Sequence, residues 1–371
     1  MNCIRKLYQV GQSVWCDNLS RAMLDSGELT RLIELGIVGI TSNPTIFMKA
    51  ITGGNDYDEQ IHGLLDQGIS DTVDMYERLV LPDIADAADT LRPVFDRTQG
   101  IDGFVSLEVN PRLAYDTEGT VEEARRLYAE LARPNVFIKV PATPQGIPAI
   151  ATLIGEGINV NVTLIFAIDV YEQVMQAYLT GLQNYSQSGG DISRVASVAS
   201  FFVSRVDTAV DKLLEAKRSG NPEAASLLGK TAIANADLAY SRFLKAFDLS
   251  GPFGKLKSRG ARVQRPLWAS TSTKNPAYPD TIYVDNLVAP DTVNTMPPQT
   301  IEATLDHGRV GAPLGSNTSS SQEVFKQLKA AGVDLEKVTE DLTRDGVQQF
   351  VDSFESLLQA LSTKRSVVRT G

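Results

Sequence analysis

NVFIKVPA, residues 135–142, is the stretch that decides how this chain is expected to fold. Along it, the valines and the isoleucine form one apolar side, whereas Phe137 and Lys139 form the other. In a closed barrel, alternate residues of each strand point into the lumen, and the others pack on the outer helices. The run therefore predicts a buried strand whose Lys139 faces an interior cavity.

Seven further β-rich runs accompany this strand, separated mostly by stretches of helical periodicity. The eight candidate strands are SVWCDNL (13–19), GIVGITSN (36–43), GFVSLEVN (103–110), NVFIKVPA (135–142), INVNVTLIF (158–166), RVASVASFF (194–202), RPLWASTS (265–272) and DTIYVDNL (280–287). Strands that alternate with helices in this way predict a single-domain (β/α)8 TIM barrel over residues 1–371. The alternative, a doubly wound open sheet, usually has a Gly-rich nucleotide-binding turn after its first strand, and this sequence has none.

The chain continues well beyond the eighth candidate strand. We expect a proline-rich loop, NTMPPQT (294–300), then additional C-terminal helices at about 321–361 and a frayed tail at 365–371. Whether these helices close over a site or pack on another subunit is left open. The basic insertion at 249–264 is expected to be a lid or a surface loop.

Composition excludes several classes of function. The 371 residues are 43% hydrophobic, which is ample for a large core, and the net charge of -10 argues against nucleic acid or an anionic membrane as a partner. Two cysteines and two histidines make a disulfide framework or a His-rich metal site untenable. Without a signal peptide or membrane-spanning run, we expect a cytoplasmic protein with no metal, and the sequence leaves a homo-oligomer open.

Polar residues share the lumen-facing parity with Lys139 toward the carboxyl ends of the candidate strands, where barrel enzymes build their active sites. They are Asp17, Asn43, Glu108, Lys139, Asn161, Thr163, Ser200 and Ser270. Burying so many polar groups costs free energy unless each finds a partner, and a structural core does not need them. The set therefore predicts a functional cavity.

The chemistry of this set centres on Lys139. Burial disfavours the ammonium form, and a neutral amine can attack a ketone to form a Schiff base, which then acts as an electron sink. Such chemistry needs acid–base groups, for which Asp17 and Glu108 are available. The asparagines and hydroxyls suit a polyhydroxylated substrate.

Simpler interpretations exist for several of these residues. Lys139 and Glu108 lie on neighbouring strands and are equally compatible with a buried structural ion pair. The remaining candidates also have ordinary roles: a helix cap for Asp17, a turn residue for Asn43, lumen fillers for Thr163 and Ser200, and a solvated helix charge for Arg205.

Several motifs resemble those of the transaldolase family. GITSNPTIF (39–47) is similar to its first signature, and VFIKVPATPQGIPAI (136–150) to its second, which carries a Schiff-base lysine. WCDNLSR, VSLEVNP, NVNVTLIF, SFFVSRVD and LWASTSTKNP follow in the family's order, so the resemblance covers most of the chain and is strongest to the longer bacterial form.

This resemblance implies a role for each candidate. Lys139 would form the Schiff base, Asp17 would exchange a proton with the C4 hydroxyl, and Glu108 with Thr163 would activate water. The implied ligands of substrate hydroxyls are Asn43, Asn161 and Ser200, and those of phosphate are Arg205 and Ser270. The implied reaction moves a dihydroxyacetone unit from sedoheptulose 7-phosphate to glyceraldehyde 3-phosphate, giving erythrose 4-phosphate and fructose 6-phosphate in the non-oxidative pentose phosphate pathway. It uses no cofactor.

One departure concerns the second phosphate ligand. The family often has an arginine after the serine of strand seven; here Ser272 holds the closer alignment, and the nearest cation is Lys274. Two rival functions are an aldolase that cleaves fructose 6-phosphate and an inactive sugar-phosphate-binding barrel. The short aldolases tend to lack a glutamate at the Glu108 position, and a binding protein would not need the trio of Lys139, Asp17 and Glu108.

Overall fold

Eight parallel strands close into a barrel in the computed structural model, which describes residues 1–217, 222–315 and 318–368. The strands pair in chain order, and the eighth pairs with the first. They are β1 (Gln12–Asp17), β2 (Gly39–Thr41), β3 (Phe104–Glu108), β4 (Val136–Pro141), β5 (Val160–Ile165), β6 (Ser197–Phe202), β7 (Arg265–Ala269) and β8 (Thr292–Met296). The (β/α)8 TIM barrel expected from the sequence is confirmed.

Helices surround the barrel and extend beyond it. They are α1 (Cys3–Gln9), α2 (Arg21–Asp25), α3 (Glu28–Leu35), α4 (Pro44–Thr52), α5 (Asp58–Asp66), α6 (Thr72–Arg97), α7 (Thr117–Leu131), α8 (Gly146–Ile154), α9 (Ile168–Gln187), α10 (Ser204–Lys217), α11 (Pro222–Ser226), α12 (Thr231–Ala246), α13 (Pro252–Lys257), α14 (Ile282–Asn286), α15 (Pro298–His307), α16 (Thr318–Ala330) and α17 (Leu335–Val368). Short 3-10 helices occur at Pro111–Leu113 and Ile192–Arg194. Among the described residues, no helix combines the length and apolar character needed to cross a membrane.

An aromatic stack fills the lumen below the polar residues. Phe137 lies 4.1 Å from Phe104 and 6.0 Å from Trp15, measured between ring centroids. Gly39 makes room for it, because a Cβ there would lie 2.6 Å from the Trp15 ring. Since Phe137 and Lys139 share a parity on β4, the expected division of that strand into a lumen side and an apolar outer side agrees with the structure.

The eighth strand lies elsewhere than expected. Residues 280–287 hold the helix α14, and β8 begins at Thr292, partly inside the region expected to be a proline-rich loop. The β-branched and aromatic residues of IYV suggested a strand, but Tyr283, Val284, Leu287 and Val288 are buried at helical spacing. The true strand, TVNTM, is short and is followed at once by two prolines, so its pattern was inconspicuous.

The parity expected for strand seven is also wrong. Trp268 packs against Phe201, and it is Arg265, of the opposite parity, that lies over the Trp15 ring. The strand ends at Ala269, and Ser270 adopts a φ of 57°. This left-handed residue turns the chain, so the side chains after it no longer follow strand alternation.

The additional C-terminal helices lie on the same chain's barrel. α17 contacts α4, α6 and α10 across the carboxyl ends of the strands, and α16 packs on α12. The helix α17 continues through Val368, so the tail expected to fray from 365 is helical to that point; residues 369–371 lie outside the described part.

The basic insertion at 249–264 does not cover the polar end of the lumen. It contains α13, whose buried Phe253 packs against Phe247, with ring centroids 5.0 Å apart. Arg262 donates hydrogen bonds to the Gln99 and Gly100 carbonyls, and it lines a cavity shared with Phe104 and Phe137. The insertion therefore packs at the amino ends of the strands, and the expectation of a lid is wrong.

Candidate active site

A cavity of about 190 Å³ opens at the carboxyl ends of the strands. Eight of the residues singled out from the sequence line it: Asp17, Asn43, Lys139, Thr163, Ser200, Arg205, Ser270 and Lys274. Of the two others, Glu108 contacts Lys139, and Asn161 lies one hydrogen bond from Ser200. The structure thus brings all ten candidates into one region.

Lys139 is held at the floor of this cavity. Its side chain is 7% exposed, and the Nζ atom donates a hydrogen bond of 3.1 Å to the Ser42 carbonyl. The Glu108 Oε2 atom lies 3.4 Å from Nζ, and the ring centroid of Phe350 lies 5.8 Å from it. An amine that is buried but still borders a cavity can meet a carbonyl carbon there.

Glu108 is almost as buried as Lys139, with a side chain 5% exposed. Burial raises the pKa of its carboxyl group, and Asp17 raises it further, whereas the Lys139 and Arg205 charges act in the opposite direction. Its Oε2 atom accepts no hydrogen bond among the described residues. A buried carboxylate with a raised pKa, whose Oε2 atom contacts Lys139 only as an ion pair, is suited to exchange protons.

Asp17 ends β1 at the rim of the same cavity. Its Oδ1 atom accepts a hydrogen bond of 2.6 Å from the Thr41 hydroxyl, which in turn lies 2.7 Å from the Thr295 hydroxyl. The cap of α2 is Ser20, whose side chain accepts from the Met23 amide, so Asp17 does not serve as a helix cap. The carboxylate is left free to face a ligand.

The two asparagines sit differently from one another. Asn43 caps α4 through its side-chain oxygen, which accepts from the Ile46 amide at 3.0 Å, and it also lines the cavity. Its backbone is extended, so it is a helix cap rather than the turn residue of the simpler interpretation. Asn161 is fully buried below the cavity. It donates to the Ser106 hydroxyl at 3.0 Å and accepts from Ser200 at 2.7 Å, and this geometry suits a residue that orients Ser200.

Thr163 lines the cavity on β5, where the pairing register shifts between Val162 and Ile165 and Leu164 has a φ of 58°. Its buried hydroxyl has no hydrogen-bond partner among the described residues. A buried hydroxyl costs free energy unless it finds a partner, so Thr163 is poorly suited to be a simple filler of the lumen.

Cationic groups gather on the opposite side of the cavity. The guanidinium of Arg205 lies 5.3 Å from the Phe202 ring centroid, and its burial lowers the pKa of the arginine while Asp17 and Glu108 oppose the shift. Because this side chain is partly buried and lines the cavity, it does not behave as a solvated helix charge. Lys274 has a pKa lowered first by burial and then by the Arg205 charge, as expected for two cations held close together.

Hydroxyl groups complete the cationic side. Lys274 donates a hydrogen bond of 2.6 Å to the Ser272 hydroxyl, and both residues line the cavity. The two alternatives for a second phosphate ligand therefore form one unit. Ser270 is 2.9 Å from the Ser204 hydroxyl at the start of α10, the helix that also carries Arg205.

Sequence reasoning missed several residues of the cavity wall. Thr295 lies on β8, whose strand pattern is inconspicuous, and Thr41 is a small hydroxyl residue that also occurs as an ordinary member of a buried strand. Phe350 gave no signal, since it is distant in sequence and only the packing of α17 brings it to Lys139.

Among the described residues, no group of three or more His, Cys, Asp or Glu side chains is arranged to hold a metal ion.

Comparison with known proteins agrees with this geometry. The family model described as transaldolase/fructose-6-phosphate aldolase matches residues 14–361. The chain belongs to this family. A protein named transaldolase from Parafrankia is 50% identical over 357 residues, which cover 96% of each chain. Another with that name, from Saccharopolyspora erythraea, is 49% identical over 360 residues, again 96% of each. The resemblance stated from the motifs is confirmed, as is the expectation of an enzyme.

Proposed function

We propose that this chain transfers a dihydroxyacetone unit from sedoheptulose 7-phosphate to glyceraldehyde 3-phosphate through a Schiff base on Lys139. The observation that carries the proposal is the buried Lys139 amine, which borders a polar cavity and has a carboxylate 3.4 Å away. The names of the relatives support the same reaction class. A cytoplasmic location and a place in the non-oxidative pentose phosphate pathway belong to the same proposal.

In the first half-reaction, the Lys139 amine attacks the C2 ketone of the donor, and loss of water gives an iminium ion. Asp17 takes the proton of the C4 hydroxyl as the C3–C4 bond breaks, and erythrose 4-phosphate leaves as an aldehyde. The electron pair of the broken bond passes to the iminium nitrogen, which leaves an enamine on Lys139. The position of Asp17 on the rim, oriented by Thr41, supports this assignment.

In the second half-reaction, the enamine carbon attacks the aldehyde of glyceraldehyde 3-phosphate, and Asp17 returns its proton to the new C4 oxygen. Water then adds to the iminium carbon, the C–N bond breaks, and fructose 6-phosphate is released. Glu108 and Thr163 each have a buried oxygen without a hydrogen-bond partner among the described residues, which supports their role in binding and activating this water.

Substrate binding follows from the charges around the cavity. Arg205, Lys274 and the nearby serines form a cationic, hydroxyl-rich wall in a chain whose net charge is -10. Arginine suits bidentate binding of phosphate, and lysine acts as a point charge beside it. We assign the phosphate to this side and the sugar hydroxyls to Asn43 and Ser200.

The experiment that tests the proposal is borohydride reduction of the enzyme with fructose 6-phosphate, followed by peptide mass analysis. A three-carbon adduct should appear on the peptide that contains Lys139, and the variant Lys139→Ala should give none. An aldose phosphate acceptor added before reduction should discharge the adduct into product. An adduct on a different lysine would contradict the assignment.

The same experiment separates the two rival functions. Release of free dihydroxyacetone at the full turnover rate, with no transfer to the acceptor, would indicate an aldolase that cleaves fructose 6-phosphate, the other activity in the family's description. The absence of any adduct and of any turnover would indicate a sugar-phosphate-binding barrel.

A further inference from the structure

Phe350 belongs to no strand or loop of the barrel, yet it is the aromatic residue next to the Lys139 nitrogen. The residue is 7% exposed, lines the cavity, and has its ring centroid 5.8 Å from Nζ. It is carried on α17, so the C-terminal helix contributes directly to the site. Nothing about the fold of the barrel requires an aromatic ring at this point.

The packing of α17 fixes where this ring lies. One turn beyond Phe350, the Ser353 hydroxyl accepts a hydrogen bond of 2.8 Å from Thr45, and Glu355 pairs with Arg112 at 2.5 Å. Nearer the end of the helix, Lys364 donates to the carbonyls of Ile51 and Gly54 at 2.9 and 2.6 Å. These partners follow β2 and β3, so they fasten the helix to the rim of the barrel.

The approach of α17 to the barrel is also close on the other side of Phe350. A Cβ added at Gly346 would lie 2.9 Å from the Leu164 side chain on β5 and 3.7 Å from the Arg205 guanidinium. Only glycine fits the helix at this distance without displacing a neighbour. The position of the Phe350 ring is therefore set by the contacts of α17 after it and by the close approach at Gly346 before it.

We propose that Phe350 is a further catalytic residue, whose ring caps the Lys139 nitrogen, stabilises the cationic iminium, and keeps water from discharging the enamine before the acceptor arrives. The inference rests on the proposed function, because it concerns the intermediates formed on Lys139. An aromatic face within about 6 Å attracts a cation but not a neutral amine, so it favours the iminium over the neutral amine that must form before the ketone is attacked.

The discharge that Phe350 would suppress is a complete reaction of its own. The enamine carbon takes a proton from water, a second water adds to the resulting iminium carbon, and the C–N bond breaks. The products are free dihydroxyacetone and the Lys139 amine, so no oxidant or reductant is required. Shielding the nitrogen and its neighbouring carbon slows this path, whereas transfer needs only the acceptor aldehyde.

Two substitutions of Phe350 test the idea. Phe350→Leu keeps an apolar side chain but removes the π face, and Phe350→Tyr keeps the face. Phe354→Leu is the matched control, because Phe354 is a buried aromatic residue of the same helix that packs on Tyr76 and Arg112 rather than on Lys139. For each variant, the rate of dihydroxyacetone release and the rate of transfer are measured with fructose 6-phosphate as donor and an aldose phosphate as acceptor. The fraction of Lys139 trapped by borohydride is measured with the donor alone.

We expect Phe350→Leu to lower the trapped fraction by roughly 3- to 30-fold, the range of a cation–π contact. Because the smaller side chain shields the enamine less, the ratio of release to transfer should rise. Phe350→Tyr and Phe354→Leu should keep the wild-type ratio. A shift of the same size in Phe354→Leu would show that loosening of α17 is the cause and would overturn the proposal, as would an unchanged ratio in Phe350→Leu. If Phe350→Leu does not fold, a raised ratio in Phe350→Tyr would overturn it equally. Failure of the proposed function would be distinct, since wild-type enzyme would then form no adduct on Lys139.

Discussion

The two ends of the barrel lumen each bury an ion pair, and the two pairs are built differently. At the amino ends of the strands, Arg265 lies 2.9 Å from Asp102. Asp102 also accepts from the Ser13 hydroxyl at 2.8 Å and the Trp15 ring nitrogen at 3.2 Å, and Arg265 donates to the Ile101 carbonyl at 2.6 Å. Each charged group at this end has several partners.

At the carboxyl ends of the strands, the pair is looser. Lys139 and Glu108 are 3.4 Å apart, and the Glu108 Oε2 and Thr163 hydroxyl oxygens have no hydrogen-bond partner among the described residues. A buried pair that only supports the fold is expected to satisfy its polar atoms, because every unsatisfied one costs free energy. The contrast favours a site that reserves these atoms for ligands over the alternative of a purely structural Lys139–Glu108 pair.

The largest effect is expected at the looser end. Lys139→Ala removes the nucleophile, so kcat should fall by roughly four orders of magnitude or more, as for other covalent nucleophiles. Stability should suffer little, because Glu108 already has a raised pKa and can take up a proton when its partner is lost. Steady-state rates and urea unfolding check both parts, and normal turnover of the variant would refute the covalent mechanism.

Asp17→Asn should have the next largest effect on kcat. The amide keeps the shape of the side chain but cannot accept the C4 proton, so kcat should fall by roughly 10²- to 10⁴-fold, the usual range for a general acid–base group. Imine formation should persist, and borohydride should still reduce unsplit donor onto Lys139. Cleavage of the donor at the wild-type rate would remove Asp17 from this role.

Changes to the Arg265–Asp102 pair, at the amino ends of the strands, should lower the free energy of unfolding instead of the turnover rate. Arg265→Met leaves the buried Asp102 without its charge partner, and we expect a loss of about 3–5 kcal/mol in the free energy of unfolding. The double variant Arg265→Met with Asp102→Leu should recover much of that loss, since no buried charge remains. Urea unfolding measures both. If the loss in kcat per folded molecule, expressed as a free energy, exceeded the loss in the free energy of unfolding, the distinction between the two ends would disappear.

Much of the lumen at the carboxyl ends of the strands was predicted because strand alternation is strict along β1, β3 and β4. On β1, β3 and β4, the parity that contains Trp15, Phe104 and Phe137 also contains Asp17, Glu108 and Lys139, and the structure brings these residues together. Parity fails where the backbone leaves the strand conformation, as at Ser270 with its φ of 57°. A bend of that kind leaves no mark in the hydrophobic pattern.

The contacts at the amino ends of the strands and those of the C-terminal helix were harder to predict. The Arg265–Asp102 pair joins a strand to a loop before β3, and no local periodicity links the two positions. The same holds for Phe350 and Lys139, which meet only through the packing of α17. Contacts between distant segments depend on the whole fold, whereas the sequence patterns used here report local structure.

The smallest expected effect concerns how Glu108, at the carboxyl ends of the strands, makes the free energy of unfolding depend on pH. Burial raises the pKa of Glu108 above its ordinary value of 4.5, so the folded state binds this proton more tightly than the unfolded state does. Between 4.5 and the raised pKa, the folded state therefore carries more protons, and the contribution of Glu108 to stability falls as the pH rises. Glu108→Gln removes this term, because the amide does not titrate.

Relative to wild type, the free energy of unfolding of Glu108→Gln should therefore increase as the pH is raised from 4.5 to 7.5. The increase is about 1.4 kcal/mol for each unit by which folding raises the pKa. Urea unfolding at several pH values measures this difference. The double variant Arg265→Met with Asp102→Leu, which leaves Glu108 intact and adds no unpaired carboxyl, is the control that should show no such trend relative to wild type. A difference that stays constant or declines with pH would mean that the Lys139 charge offsets the burial of Glu108. The Lys139–Glu108 pair would then be as well balanced as the Arg265–Asp102 pair, and the contrast between the two ends of the lumen would fail.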